Sequence, residues 1–264
     1  MLDADPLVGG TTDDADIDVT AVKLRLWAGS GVGLNTNHLE TTVGTVSARA
    51  TDGGVYLRET DALVVDDVGL SVNRVAADAT TSTSLSTDAL QSDVRTTASN
   101  GNIVLRTNAG SITLNDGTVL AGGGVGTDDQ AVVAHGTGNV LIEAIGLLTD
   151  ITANADVVST SGNISVLAAQ SVVFTGMADV RTTSTAAGSG SIDVVAGTDS
   201  VTQSVTSLYK TTGATGTIRV LAAVNITVGD IESAAGSVSL TATGGDVLDA
   251  DPLVVSHTCA RRPR

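Results

Sequence analysis

Aspartates are the residues of this chain best suited to chemistry, and they come in local clusters: Asp13, Asp14, Asp16 and Asp18, then Asp66-Asp67 and Asp128-Asp129. Two carboxylates on either side of a sugar linkage, one an acid and the other a base or nucleophile, can cleave it. Clusters set between Gly, Ser and Thr are instead the usual sites of solvated turn aspartates. His38, His135 and His257 have no metal-ligand spacing. His257 with Cys259 would need two further ligands, and none lies nearby in sequence. A single cysteine excludes an internal disulfide framework. Neither a nucleophile elbow nor a phosphate loop is present. The sequence therefore assigns no catalytic, cofactor-binding or metal residue, and the chain is expected not to be an enzyme.

Two other segments invite a binding role. Lys23, Arg25 and Trp27 share one face of an alternating run, where Trp and Arg could meet a sugar, or simply cover a strand's outer surface. Gly123-Gly124-Val125-Gly126-Thr127-Asp128 resembles one calcium-binding nonapeptide of the repeat-in-toxin type, with Gln130 where an apolar residue belongs. In that family calcium sits between successive copies, and here there is one. Calcium is thus the only cofactor left open.

The elements that must carry these residues are announced by a pentapeptide: Gly, a small polar residue, Ile or Val, any residue, then an aliphatic. It begins at Gly101, Gly110, Gly138, Gly162, Gly190, Gly216 and Gly236, with looser copies at Gly44 and Gly53. Period-two alternation makes each copy a strand with its third and fifth residues inward. Stacked copies would place Asn102, Ser111, Asn139, Asn163, Ser191, Thr217 and Ser237 in a hydrogen-bonding column. The outward column reads Val104, Thr113, Leu141, Ser165, Asp193, Arg219 and Ser239, with Asp193 and Arg219 as neighbours. One carboxylate beside an arginine offers no acid–base pair in register.

Steps from Gly110 through 138, 162, 190 and 216 to 236 are 28, 24, 28, 26 and 20 residues, the length of one β-helix turn. Nine-residue steps (44 to 53, 101 to 110, 236 to 245) suit two strands around one corner. A slip in alternation near Ala21, between Ile17 and Leu26, marks another corner or bulge. Val132-Val133, Leu147-Leu148, Val157-Val158, Val172–Phe174 and Val224–Val228 are expected as second and third strands of the coils, with the Ser/Thr-rich 80–88 and 182–190 as separators. No helical periodicity occurs.

Composition agrees. Aromatics are 2% (Trp27, Tyr56, Phe174, Tyr209), which predicts a narrow core of Val, Ile, Leu and Ala. The net charge of −16 argues against nucleic acid and anionic membrane, and no apolar run is long enough for membrane insertion. Met1–Asp5 shows no signal-peptide pattern. Leu2–Val8 recurs identically at Leu248–Val254, as in a tandem array.

These coils, the acidic low-aromatic composition and the repeated Leu-Asp-Ala-Asp-Pro-Leu-Val resemble giant repetitive bacterial surface proteins, including the shafts of filamentous-haemagglutinin-type adhesins. The resemblance implies a right-handed parallel β-helix acting as an extracellular stalk or adhesion surface, with no catalytic residues to transfer. The Asn-Pro-Asn-type motif of that family's secretion domain is absent. The expectation is an all-β parallel solenoid of about ten coils of 20–28 residues spanning 1–254, with a disordered basic tail at 255–264. Expected partners are neighbouring repeats or end-to-end copies, and cell-surface glycans or proteins. A carbohydrate-active β-helix, lyase or hydrolase, is the alternative.

Overall fold

Alternating aliphatic and polar residues bounded by glycine or Asn/Asp turns form short strands, which bury one side by stacking on the same side of the next coil. The computed structural model describes residues 16–82, 87–119, 127–185 and 190–251. These contain strands, turns and no helix, and 22 of the strands join one sheet whose pairings are all parallel. The protein is a parallel β-solenoid.

Three ladders run along it. The first face stacks Val55–Glu59, Ile103–Thr107, Val140–Ala144, Ile164–Ala168, Ile192–Ala196, Ile218–Ala222 and Val238–Ala242 in continuous register. The second stacks Leu63–Val65, Ile112–Leu114, Ile151–Ala153, Val172–Phe174, Val201–Gln203, Ile226–Val228 and Val247–Asp249. The third stacks Val94–Thr96, Gln130–Ala134, Asp156–Ser159, Val180–Thr182, Leu208–Thr211 and Asp230–Ser233. Below them lie two long strands, Val19–Ala28 and Leu39–Ala50, paired in parallel. Leu39–Ala50 bends round the corners, meeting the first face at Leu57–Glu59, the second at Val64-Val65 and the third at Val94–Thr96. The slip near Ala21 falls at one such bend, because the pairing passes from Ala21–Val43 to Lys23–Thr45. The first face thus has nine levels among the described residues, near the ten expected.

Register corrects the sequence alignment in three places. Gly110–Leu114 is not a first-face copy: Ile112–Leu114 pairs with Leu63–Val65 and Ile151–Ala153, on the second face. Val55–Leu57, read as a loose copy, is a full member of the first face, in register with Ile103–Leu105. One coil therefore runs from Val55 to Ile103 and the next from Ile103 to Val140, 48 and 37 residues, beyond the 20–28 expected. Nine-residue spacing marks a first-to-second corner at Gly101/Gly110 and Gly236/Gly245. At Gly44/Gly53 it spans the second and third faces and enters the next coil.

The longest coil is long because it carries an arm. Val68–Ser71 pairs antiparallel with Thr87–Gln91, and Arg74-Val75 with Thr81-Ser82, where the sequence suggested only a separator. Leu147-Leu148 is also a correction. It is an exposed turn with Leu148 at φ 61°, and the strand of that coil is Ile151–Ala153.

Inside, the two inward columns of the first face are sealed along the middle coils: Ile103, Leu105, Ile142, Ile164, Val166, Val194 and Val220 are all at most 1% exposed. Two rings also lie in this core, contrary to the ring-free interior expected. Phe174 and Tyr209 are buried and meet edge to face at 5.1 Å. The polar column is a ladder. Asn102 Oδ1 accepts the Asn139 N–H at 2.8 Å, Asn139 Oδ1 the Asn163 N–H at 2.8 Å, and Asn163 Oδ1 the Ser191 N–H at 2.9 Å. A second ladder runs from Asp66 through Asn115 and Asn154 to Thr175.

Glycine opens each first-face coil for a reason other than turn geometry. A Cβ at Gly138, Gly162, Gly190 or Gly236 would lie 1.9–2.1 Å from the carbonyl oxygen of the glycine one coil below. Stacked backbones approach too closely there for any side chain.

Candidate functional site

The outward side of the first face is where the sequence places chemistry. Asp193 and Arg219 do meet there on adjacent coils: Arg219 Nε and Nη2 donate to Asp193 Oδ1 and Oδ2, both at 2.7 Å. The pair is exposed, so we expect a double-mutant cycle on Asp193→Ala and Arg219→Ala to give a coupling below about 1 kcal/mol that shrinks with salt. Trp27 is exposed, with the guanidiniums of Arg25 and Arg49 over its ring at 5.4 and 5.0 Å from the centroid. Arg49 joins it from the next coil, beyond the reach of sequence spacing. Lys23 is exposed on the same strand.

Other residues weighed from the sequence are scattered. His38 stacks on Tyr56, and His135 is exposed at a turn. Asp18 Oδ2 accepts the Glu40 N–H, and Asp67 Oδ2 accepts the N–H and hydroxyl of Thr118. Asp13, Asp14, His257, Cys259, Leu2–Val8, Gly123–Gly126 and the tail 255–264 lie outside the described residues, as do the last three residues, 252–254, of the second Leu-Asp-Ala-Asp-Pro-Leu-Val copy.

The densest chemistry lies on the corner leading into the third face. Asp93, Asp128 and Asp129, Asp156, Asp179 and Asp230 climb it coil by coil, except that Leu208 takes the place between Asp179 and Asp230. An open groove of about 400 Å³ runs past Asp129, Asp156, Asp179 and Asp230, with Arg181 reaching in. Asp156 is 1% exposed; its Oδ1 accepts the Asp179 N–H at 2.8 Å, and its Oδ2 pairs with Arg181 Nη2. Asp179 repeats the arrangement, Oδ1 accepting the Leu208 N–H at 2.8 Å and Oδ2 standing 3.5 Å from Arg181. Each carboxylate thus caps the coil above it. Burial pushes Asp156 up to about 7 against the opposing Asp179 N–H and Arg181 charge, and it raises Asp179 and Asp129 as well.

At the lower end of this corner, Asp93, Asp116 and Asp128 converge, with carboxylate oxygens all within 4.8 Å of one another. Asp93 is fully buried, at φ 64°, and among the described residues neither of its carboxylate oxygens accepts a hydrogen bond. Burial first, then the charge of Asp128, pushes it up to about 8. Arg95 Nη1 lies 3.8 Å from Asp128 Oδ2. The sequence pointed to Asp128 through its turn cluster but gave no reason to join it to Asp93 or Asp116.

No protein-family model matches the chain, and no curated protein or solved structure matches it. The fold and its surfaces define a parallel β-solenoid with an acidic corner.

Proposed function

We propose that this chain is a non-catalytic structural segment of a large extracellular repetitive surface protein, serving as a stalk or adhesion surface. The observation that carries the reading is the upper end of the solenoid. Val238 and Val247 occupy the inward columns, in register with Ile218 and Ile226, which are 1% exposed. Val238 and Val247 are 43% and 50% exposed. Among the described residues, the strands Val238–Ala242 and Val247–Asp249 pair on one side only, as does Val19–Ala28 below. Open aliphatic cross-sections with free ladder edges are the contacts through which another coil would continue the rod.

End-to-end association is the expected behaviour of the isolated segment. Sedimentation velocity should show oligomers growing with concentration, and Val238→Lys with Val247→Lys should return the monomer. A wild-type chain that stays monomeric at high concentration, with well-protected amides in the end strands, overturns the reading.

The groove at the acidic corner favours a second reading, a carbohydrate-active β-helix, because several carboxylates line one cleft. Against it, Asp156 and Asp179 are committed to backbone N–H groups and Arg181. Turnover of an acidic polysaccharide that disappears in Asp179→Asn and Asp230→Asn would replace the first reading with the second.

A further inference from the structure

We propose that Asp93, Asp116 and Asp128 form a site for one calcium ion, which fastens the long third and fourth coils of the solenoid to each other. Three features of the cluster point to a cation.

The first is geometry. Two oxygens on opposite sides of a calcium ion stand about 4.8 Å apart, twice a Ca–O distance of about 2.4 Å. The three carboxylates already offer oxygens that all lie within 4.8 Å of one another, so one ion can bridge all three with at most a small inward shift of the side chains. Magnesium, at about 2.1 Å, would draw ligands at the outer limit of that spread closer together. An all-oxygen donor set with no imidazole or thiolate selects a hard cation over zinc or copper.

The second is the state of Asp93. Its side chain is inaccessible, yet among the described residues neither carboxylate oxygen has a hydrogen-bond donor. Ser92, its neighbour, spends its hydroxyl on the Val119 carbonyl. Asp128 Oδ1 is likewise buried and without a donor. Buried carboxylates are normally hydrogen-bonded or paired, and Arg95, beside this cluster, is 3.8 Å from the other oxygen of Asp128. An ion between the three would satisfy the orphaned oxygens and offset their mutual repulsion.

The third is the way the ligands are held. Asp93 immediately precedes the third-face strand Val94–Thr96, and Asp128 stands two residues before Gln130–Ala134 on the next level. Asp116 follows the second-face strand Ile112–Leu114, and its Oδ1 accepts the Asp128 N–H at 3.3 Å. Asp67, in the coil below, grips the adjacent Thr118. The ligands therefore come from two levels and three separate stretches of chain, and a shared ion cross-links them where the coils are longest. The site borders the groove at Asp156, whose lining begins at Asp129, and owes nothing to the stalk reading.

The test uses the full chain stripped with a chelator, then titrated with calcium chloride, magnesium chloride, or sodium chloride at matched ionic strength. Calorimetry should show one calcium per chain, and the melting temperature should rise with calcium well above the rise with sodium. Asp93→Asn, which keeps the shape of the side chain and removes its charge, should raise the melting temperature of the metal-free protein. The same variant should weaken calcium binding by about tenfold or more. Asp116→Asn, at the half-buried ligand, should weaken binding without that gain, and serves if Asp93→Asn does not fold. Absence of calcium binding up to about 10 mM, or calcium binding undiminished in a folded variant, overturns the site.

Discussion

Gly162→Val will prevent the solenoid from folding. The position allows no Cβ: one built there lies 2.0 Å from the carbonyl oxygen of Gly138 and 2.5 Å from its carbonyl carbon. The obstacle is backbone fixed by ladders on either side, so no side-chain rotation relieves it. Even Gly162→Ala should lose more than about 3 kcal/mol, at the severe end of single substitutions, by urea denaturation followed by circular dichroism. A useful contrast is Gly176→Ala, since a Cβ at Gly176 meets nothing within 4 Å. Its φ of 55° leaves a strain of about 1 kcal/mol. If Gly162→Ala proves no worse than Gly176→Ala, the close stacking of the glycine column is wrong.

The second large effect is on the pH dependence of stability, measured in chelator. Asp156 in the folded chain keeps its proton up to about pH 7, because burial outweighs the help of Asp179 N–H and Arg181. In the unfolded chain it releases that proton near the ordinary value of 3.8. The folded state binds more protons between these values, so its contribution to stability is highest below about pH 4 and is lost as pH rises toward 7. A difference of about 3 units caps the effect at about 4 kcal/mol. Asp156→Asn keeps the acceptor for Asp179 N–H and cannot ionise, so urea midpoints from pH 4.5 to 8 should fall less steeply than in wild type. Asp193→Asn, at the exposed pair, removes the same single charge from the surface and so controls for the general decline in an acidic protein. A wild-type profile that rises through this window would show that Arg181, and not burial, governs Asp156.

Much of the architecture is legible in the sequence, because strand alternation and level-to-level stacking act on local patterns. Gly138–Ile142 and Gly162–Val166 announce both their faces and their spacing. The same pentapeptide misleads at Gly110, since a tight turn followed by an alternating strand serves the second face as well as the first. Only the pairing of Ile112 with Leu63 and Ile151 separates them.

The acidic corner was hidden for a related reason. Asp93, Asp128, Asp156, Asp179 and Asp230 are separated by 35, 28, 23 and 51 residues, because corner loops vary in length and the last step skips a coil that carries Leu208 instead. A column with no fixed period is invisible in one dimension. Leu147-Leu148 erred the other way: its hydropathy suggests burial, while the turn it occupies exposes both side chains. Phe174 and Tyr209 fit the interior as a pair on neighbouring coils, one on the second face and one on the third.

The ladders also decide how such a rod would bear a pull along its axis. Their hydrogen bonds run between levels, so the three faces of one level share the load, while successive levels carry the same load in turn. Strength is then set by the thinnest level and not by the number of coils. On the first face that level is where Leu39–Thr41 meets Leu57–Glu59, three residues in a continuous run helped by a lone Val32–Val55 bridge, whereas Ile103–Thr107 meets Val140–Ala144 with five. A tether built this way would part near its base and leave the coils from Val55 upward stacked, lengthening by release of one turn at a time.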